Sequence, residues 1–198
     1  MSDVLRKLPS DFCIHRYGVE CRLVEEQDAE FIVGLRNDAK LGRYLHTTGS
    51  VSNQIDWIRQ YKKREAEGIE YYFIFSKNGV PFGLWRMYNI DWIHLTYTGG
   101  SWVCTPGTST DVSFTTVLIV DDIRETLGLL INIYEVQKGN TVVIKYHRNI
   151  LCAVEYGETS KAVLFMSTPE SRKKNRLRKL LGIEQVDVKI PVIECNKN

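Results

Sequence analysis

The chain has 198 residues, of which 43% are hydrophobic and 25% are charged. This length fits one well-filled core or at most two small ones, and the composition is that of an ordinary soluble globular protein. The net charge of +2 at pH 7 gives no global electrostatic case for nucleic acid or acidic membranes as partners.

Targeting signals and metal-binding patterns are not evident in the sequence. The first residues contain no apolar run long enough for a signal peptide, and no later segment approaches a membrane span, so we expect a cytoplasmic protein. The five cysteines form no CxxC pair, and this pattern predicts reduced, buried thiols and no metal site. They are Cys13, Cys21, Cys104, Cys152 and Cys195.

The first part of the chain predicts a leader, a strand and two helices. Residues 1–18 lack clear periodicity and are expected to lie along the surface. Val19 to Glu25 alternates as a strand does, and the apolar spacing from Ala29 to Leu35 predicts a helix. A second helix follows, with apolar residues from Ile55 to Tyr61 and Ser52 as its cap.

A meander of antiparallel strands comes next. Asn78-Gly79 is a strong hairpin signal between a strand at Glu70–Ser76 and its return at Val80–Tyr88. Residues 89–91 are expected to begin a turn, and residues 92–97 could be strand or loop. The third strand is predicted at Ser101–Thr105.

The second half predicts a strand-loop-helix unit and three further strands. A helix from Asp111 to Leu127 is followed by a buried strand at Leu129–Val136, and Asn140 opens another helix. Cys152–Tyr156 and Lys161–Met166 form a final strand pair.

Residues 169–198 form an expected appendage to the same domain. Its basic helix, Ser171 to Leu181, could touch nucleic acid or an acidic partner, or it could be a solvated terminal helix, and we expect no nucleic acid. The apolar run Val186 to Cys195 could add a strand to its own sheet or to a neighbour, which would permit a homodimer.

The loop from Gly107 to Asp111 consists of small, hydrogen-bonding residues at a helix N-terminus. Free backbone N–H groups and the helix dipole favour an anion such as a phosphate at this position. The alternative is a plain connection in which Asp111 is the N-cap residue.

The predicted order is β, α, α, three antiparallel β, α, β, α and two β. With seven short motifs, this order resembles the GNAT N-acetyltransferase superfamily, in particular its RimJ/RimL-like branch and bacterial enzymes that acetylate amino-sugar nucleotides. The motifs are Leu35-Arg36-Asn37-Asp38, Gln54-Ile55-Asp56-Trp57-Ile58, Asn78-Gly79-Val80-Pro81-Phe82-Gly83, Tyr88-Asn89-Ile90-Asp91, Gly100-Ser101-Trp102-Val103, Lys138-Gly139-Asn140 and Val143-Ile144-Lys145-Tyr146-His147. The resemblance covers residues 19–168 and implies an α+β, three-layer fold with a mixed central sheet flanked by helices.

The resemblance implies acetyl-CoA as the cosubstrate. Backbone groups of Trp102, Val103 and Cys104 would pair with its pantetheine arm, and Asn140 and Val143 would lie beside that arm. The pyrophosphate would be cradled by the loop residues Gly107, Thr108, Ser109, Thr110 and Asp111. The family's loop usually carries a Gln/Arg-x-x-Gly-x-Gly/Ala signature, whereas this chain has Gly107 followed by hydroxyl residues, which add Cβ atoms where glycine allows close approach.

Acetyl transfer needs an acid for the departing thiolate and a base for the amine. By counting from Asn140, His147 takes the place of the family's proton-donating tyrosine, with Tyr146 directly before it, or it is a half-buried structural histidine. The family's Glu on the fourth strand is missing, because Gly99-Gly100-Ser101 stands there. Asp91 and His94 are replacement candidates that could act through water, or they are plain loop residues.

The resemblance places the acceptor between the first two helices and the meander, beside Arg36, Asn37, Trp85, Tyr88 and Asn89. Arg36 suits a phosphate or carboxylate and Trp85 or Tyr88 could stack on a base or sugar, although a surface ion pair and ordinary strand aromatics are alternatives. We therefore predict an acetyl-CoA-dependent N-acetyltransferase whose acceptor is a small primary amine, best an amino sugar on a nucleotide. The alternatives are a protein N-terminal acetyltransferase, as for ribosomal proteins, and a GNAT-shaped binding domain that has lost acetyl-CoA.

Overall fold

The structure, a computed structural model, describes residues 7–40, 42–45 and 49–183. Eight strands lie within these ranges: β1 (Cys13–Arg16), β2 (Val19–Leu23), β3 (Tyr71–Lys77), β4 (Val80–Asp91), β5 (Thr96–Cys104), β6 (Ile131–Gln137), β7 (Val154–Glu158) and β8 (Ala162–Ser167). The described helices are α1 (Ala29–Asn37), α2 (Val51–Ala66), α3 (Thr110–Thr126), α4 (Thr141–Asn149), α5 (Pro169–Lys173) and α6 (Leu177–Leu180). Two short 3₁₀ turns lie at Glu26–Asp28 and Gly42–Tyr44.

The strands form one mixed sheet in the order β1-β2-β3-β4-β5-β6-β8-β7. Neighbouring strands are antiparallel except β5 and β6, which run parallel. That parallel pair is very short, because only Thr96 with Ile131 and Tyr97 with Asn132 are in register. Beyond these residues β5 and β6 diverge, and the sheet opens into a wedge.

Alternating side chains of the strands bury both faces of the first half of the sheet. On β3, Phe73 packs with Ile119 and Ile123 of α3, whereas Tyr72 packs with Ile58 of α2 on the opposite face. Beyond the wedge, α4 covers β6 and β8 through Ile144, which packs with residues that include Tyr134, Val136 and Phe165. The expected three-layer α+β fold with a mixed sheet flanked by helices is confirmed.

Several boundaries of helices and strands differ from those predicted. The expected leader contains the edge strand β1, and its Leu8, Phe12 and Ile14 are buried in the core that α3 covers. The apolar residues of this segment are too few to show a helix or strand periodicity in the sequence, so their burial is seen only in the folded structure. The division into residues 1–18, 19–168 and 169–198 stays a prediction.

Other corrections concern caps and strand ends. Ser50 rather than Ser52 caps α2, and Ser109 rather than Asp111 caps α3. Strand β4 continues through the expected turn to Asp91, because Ile90 is buried and Asn89 accommodates a φ of 52°. The meander's third strand begins at Thr96, five residues before the predicted start at Ser101.

The C-terminal appendage is two short helices, α5 and α6, rather than one helix from Ser171 to Leu181. The apolar run Val186 to Cys195 lies outside the described residues. Cys21, Cys104 and Cys152 are free cysteines, whereas Cys13 is disulfide-bonded, so the expectation of reduced thiols is wrong for Cys13. Within the described ranges, no helix has both the length and the apolar character needed to cross a membrane.

Candidate active site

A cavity of about 780 Å³ fills the wedge between β5 and β6. Its walls come from helices α1, α3 and α4, strands β4 to β8, the 3₁₀ turn at Gly42–Tyr44 and the segment after β8. The lining residues include Arg36, Tyr44, Trp85, Arg86, Tyr88, Asn89, Gly99, Gly100, Ser101, Trp102, Asp121, Asn132, Glu135, Asn140, Val143, Tyr146, His147, Tyr156 and Arg172.

The wedge begins at Asn132, whose side chain takes the place of a backbone hydrogen-bond partner between β5 and β6. Its Oδ1 accepts a hydrogen bond of 2.8 Å from the Gly99 N–H, so the next backbone pair between β5 and β6 does not form. A Cβ on Gly99 would lie 2.5 Å from the Trp85 ring and 2.9 Å from Asn132 Nδ2. Glycine is therefore required where the two strands separate.

A β-bulge lies directly after this point on β5. Leu84 pairs with Val103 and Arg86 pairs with Gly100, so Ser101 and Trp102 together oppose Trp85. Ser101 adopts a φ of 54°, and its Oγ accepts a hydrogen bond of 3.1 Å from Arg36 Nη1. A bulge re-aims the backbone of its strand, and here it does so at the wedge.

The three residues predicted to hold pantetheine lie on the edge of β5 that has no ladder partner in β6. Of these, Trp102 lines the cavity, and its indole N–H donates to Thr116 Oγ1 at 3.0 Å. The Val103 side chain is buried under α1 and α2, and Cys104 packs against the α3 core. The backbone edge, rather than these two side chains, is what the strand presents to the wedge.

The predicted pyrophosphate loop leads into α3 and lies outside the cavity lining. Gly107 has a φ of 86°, and Thr105 and Thr108 join their hydroxyls at 3.0 Å. Ser109 Oγ accepts from the Val112 N–H at 3.3 Å. The N–H groups of residues 109–111 make no hydrogen bond with the rest of the described chain. These three amides at the start of a 17-residue helix fit a phosphate group, and the exposed Asp111 side chain belongs to the same first turn.

Both α4 residues predicted to contact the cofactor line the cavity. Asn140 is the N-cap residue of α4, but its side chain makes no capping hydrogen bond. Val143 lies one turn further along and is partly buried. Together with the open edge of β5 and the free amides of α3, these residues fit an extended acyl carrier such as acetyl-CoA.

His147 and Tyr146 face different walls of the cavity. His147 Nδ1 lies 2.8 Å from the Tyr134 hydroxyl, and its ring is 5.5 Å from that of Phe165. Burial lowers the pKa of His147 to about 4, so the ring is neutral at pH 7.

Tyr146 faces the β5 side of the wedge instead. Its ring lies 5.5 Å from the Trp102 ring and 5.1 Å from the Phe114 ring. Its buried hydroxyl has no hydrogen-bond partner among the described residues, and burial raises the pKa of Tyr146. A protonated hydroxyl without a protein partner can donate to a bound molecule.

Asp91 and His94, the predicted bases, pair with each other away from the cavity. Asp91 Oδ2 lies 2.7 Å from His94 Nδ1, and the two side chains are 42% and 73% exposed. Hydrogen bonds from the His94 side chain and from the His94 and Ile93 backbone lower the pKa of Asp91 to about 2. Neither residue lines the cavity, and the carboxylate is held in its unprotonated form by the turn.

Four of the five predicted acceptor residues line the cavity: Arg36, Trp85, Tyr88 and Asn89. Asn37 does not, and its Nδ2 donates to the Gly49 carbonyl at 2.9 Å beyond the end of α1.

Sequence reasoning missed four cavity residues of chemical interest: Arg86, Glu135, Tyr146 and Tyr156. Arg86 and Glu135 are charged residues inside runs otherwise typical of buried strands, and this signal could have marked them. Tyr146 was named only as the neighbour of His147, because counting along the chain does not show which face of a helix each residue takes.

A mixed sheet split at a bulged strand, beside a capped helix N-terminus, is the architecture that the resemblance to N-acetyltransferases predicts. The sequence matches no protein-family model and no curated protein sequence. Among solved structures, the apo form of FdhC, described as a nucleotide-linked sugar GNAT, is 31% identical over 88% of this chain and 99% of that chain, with a TM-score of 0.76. This identity and coverage show that the chain belongs to the GNAT family of N-acetyltransferases.

More distant structures share the fold. Spermidine N-acetyltransferase from Vibrio cholerae, in complex with CoA and spermine, is 18% identical with a TM-score of 0.67, over 80% of this chain and 99% of that chain. Ribosomal-protein-S5-alanine acetyltransferase from Vibrio fischeri is 13% identical with a TM-score of 0.65, over 80% and 97% of the two chains. The acceptors for which these proteins are named differ, so the fold alone does not select one.

Proposed function

We propose that this GNAT enzyme transfers an acetyl group from acetyl-CoA to the primary amine of an amino sugar linked to a nucleotide. The observation that carries the proposal is that Arg36 and Arg86 both line the cavity, with the Arg86 guanidinium 4.6 Å from the Tyr88 ring, which suits a diphosphate and a stacking base or sugar. The 31% identity to a nucleotide-linked sugar GNAT supports the same class of acceptor.

Arg86 is held ready for an anion by its neighbours. Its Nε donates to Glu70 at 2.6 Å, and its guanidinium lies 5.0 Å from the Trp57 ring and 4.6 Å from the Tyr88 ring. Its terminal NH₂ groups make no hydrogen bond within the described residues. A guanidinium fixed in this way loses little further entropy when it binds a phosphate.

The same charges disfavour a polyamine. A polyamine carries several positive charges, and it would have to approach Arg36 and Arg86 in the same cavity. A diphosphate group instead gains two cationic partners.

The cofactor end is assigned to four parts of the chain. We assign the amides of residues 109–111 to the pyrophosphate, the open edge of β5 to pantetheine, the bulge at Ser101 to the acetyl carbonyl, and Tyr146 to the sulfur. When bound, acetyl-CoA supplies an activated thioester. The protein orients the carbonyl by backbone N–H groups, and the Tyr146 hydroxyl delivers a proton to the leaving sulfur from a buried position.

The test is acetyl-CoA consumption with a panel of amines. The panel holds nucleotide-linked amino sugars, the same sugars without the nucleotide, spermidine and an N-terminal peptide. We expect kcat/KM for a nucleotide-linked amino sugar to exceed that for the free sugar by about 100-fold, because the nucleotide supplies binding energy remote from the amine. The Arg86→Gln variant should lose most of this preference.

Arg59→Gln is the matched control, since Arg59 is an exposed arginine of α2 that pairs with Glu26 at 2.9 Å and does not line the cavity. A higher kcat/KM for spermidine or for the peptide would overturn the proposed acceptor. A failure of acetyl-CoA to raise the melting temperature would favour a binding domain that has lost the cofactor.

A further inference from the structure

We propose that the Ser101 hydroxyl donates a hydrogen bond to the carbonyl oxygen of the bound thioester and is oriented for that role by Arg36. The inference rests on the proposed acetyl transfer from acetyl-CoA, and it adds a side-chain donor to the backbone N–H groups assigned to the same carbonyl. From the sequence, Ser101 was predicted only as the first residue of a strand.

The β-bulge of β5 places Ser101 on the cavity wall. Ser101 and Trp102 together oppose Trp85 of β4, and Ser101 lines the cavity. The φ of 54° at Ser101 lies in the left-handed region, which is uncommon for residues other than glycine and is concentrated at functional sites. A glycine would adopt this φ without strain. The serine hydroxyl is therefore the candidate for a function that the backbone alone does not supply.

Arg36 holds this hydroxyl from the opposite side. Its Nη1 donates to Ser101 Oγ at 3.1 Å, from the last turn of α1 and across 65 residues of the chain. Burial raises the pKa of Tyr72 on β3, and the Arg36 guanidinium lowers it. Arg36 thus lies between the buried Tyr72 and the bulge, and its donor to Ser101 is fixed by the packing of α1 on the sheet.

The proton of the Ser101 hydroxyl is available to a bound molecule. A serine hydroxyl can donate one hydrogen bond and can accept two. Ser101 Oγ accepts from Arg36, and it donates to none of the residues that the structure describes. Hydrogen bonds arranged in a chain polarise one another, so a hydroxyl that accepts from a guanidinium is a stronger donor than an isolated one.

A donor at this position acts on the charge that develops during acyl transfer. Negative charge builds on the carbonyl oxygen as the amine nitrogen forms the new C–N bond, and it is released when the C–S bond breaks and its electron pair leaves with the sulfur. The Ser101 hydroxyl keeps its proton throughout, so no further reactant is needed. Because a hydrogen bond to a charged oxygen is stronger than one to a neutral carbonyl, Ser101 should raise kcat more than it tightens binding.

The first measurement compares the binding of acetyl-CoA with that of CoA, which has no thioester carbonyl. Titration calorimetry gives both dissociation constants for the wild type, Ser101→Gly and Ser101→Ala. We expect both variants to bind acetyl-CoA about 5-fold more weakly, the scale of one neutral hydrogen bond, and to bind CoA as the wild type does. Glycine relieves the strain of the positive φ and alanine keeps it, so an equal effect in both variants identifies the hydroxyl as the cause.

The second measurement is kcat on whichever amine of the panel the wild type acetylates fastest. We expect both Ser101 variants to lower kcat by about 100-fold, because the loss of one donor to a developing oxyanion costs on this scale. In an Arg36→Gln background, Ser101→Gly should lower kcat by a smaller factor, because the hydroxyl has already lost the partner that polarises it.

Ser160→Ala is the matched control, because Ser160 is an exposed serine between β7 and β8 and does not line the cavity. Thermal unfolding without ligand separates a lost hydroxyl from a lost fold. Unchanged kcat, or CoA binding weakened as much as acetyl-CoA binding, would overturn the role of Ser101. A wild type that acetylates no amine of the panel would overturn the proposed function, and the two dissociation constants would still test Ser101.

Discussion

Tyr146 and His147 are adjacent in the chain, yet α4 turns consecutive side chains about 100° apart. Tyr146 therefore meets Trp102 of β5 and Phe114 of α3, and His147 meets Tyr134 of β6 and Phe165 of β8. The first environment borders the open strand edge, and the second is the small core under α4. At the residue scale this rotation is the reason why the proposal assigns the leaving sulfur to Tyr146 rather than to His147.

The Tyr146→Phe variant should lower kcat by about 100-fold or more, because it removes only the proton donor. Its melting temperature should stay close to that of the wild type, since the hydroxyl has no partner among the described residues. Steady-state kinetics and thermal unfolding measure the two quantities. A larger loss of kcat in His147→Phe than in Tyr146→Phe would return the acid role to His147.

At the scale of elements, turn residues and apolar spacing in the sequence predicted much of the fold. Asn78-Gly79 marked the β3–β4 hairpin, and the apolar spacing after Asp111 marked α3 to within about a residue. The wedge could not be predicted, because it depends on one Asn132 side chain that replaces a backbone partner of Gly99 across 33 residues. The candidate site divides in the same way: element order predicted the residues proposed for the cofactor strand and helix, whereas the structure was needed to place Arg86 and Tyr146 on the cavity wall.

The Gly99→Ala variant should test this junction. The added Cβ would lie 2.5 Å from the buried Trp85 ring, so we expect a loss of about 1–3 kcal/mol in the free energy of unfolding. Gly34→Ala is the control, because Gly34 lies in α1 with no atom within 4 Å of an added Cβ and should gain about 0.5–1 kcal/mol. Denaturant unfolding measures both values. Equal stability of Gly99→Ala and the wild type would contradict the close packing of β5 on Trp85.

At the scale of the whole molecule, buried charges join segments that are distant in the chain. Asp122 of α3 is almost fully buried and accepts hydrogen bonds from Tyr17 at 2.7 Å and from Arg178 at 2.6 Å. This contact fixes the β1–β2 turn and α6 to the same helix. The basic helix α6 is thus partly a structural element, since Arg178 pairs with a buried carboxylate.

His147 should contribute strongly to the pH dependence of the free energy of unfolding. Its folded pKa of about 4 lies below the ordinary value of 6.5, so the unfolded chain binds the proton more readily. The stability contributed by this group is complete above pH 6.5 and falls as the pH drops towards 4. From pH 7 to pH 5 the expected loss is about 2 kcal/mol.

Urea unfolding of the wild type and of His147→Gln at pH 7 and pH 5 measures this effect. The free energy of unfolding should fall between pH 7 and pH 5 by about 2 kcal/mol less in His147→Gln than in the wild type. Comparing the two pH values within each variant cancels any pH-independent cost of losing the Tyr134 hydrogen bond. The same pH dependence in His147→Gln as in the wild type would show that this ring is protonated inside the folded protein at pH 5.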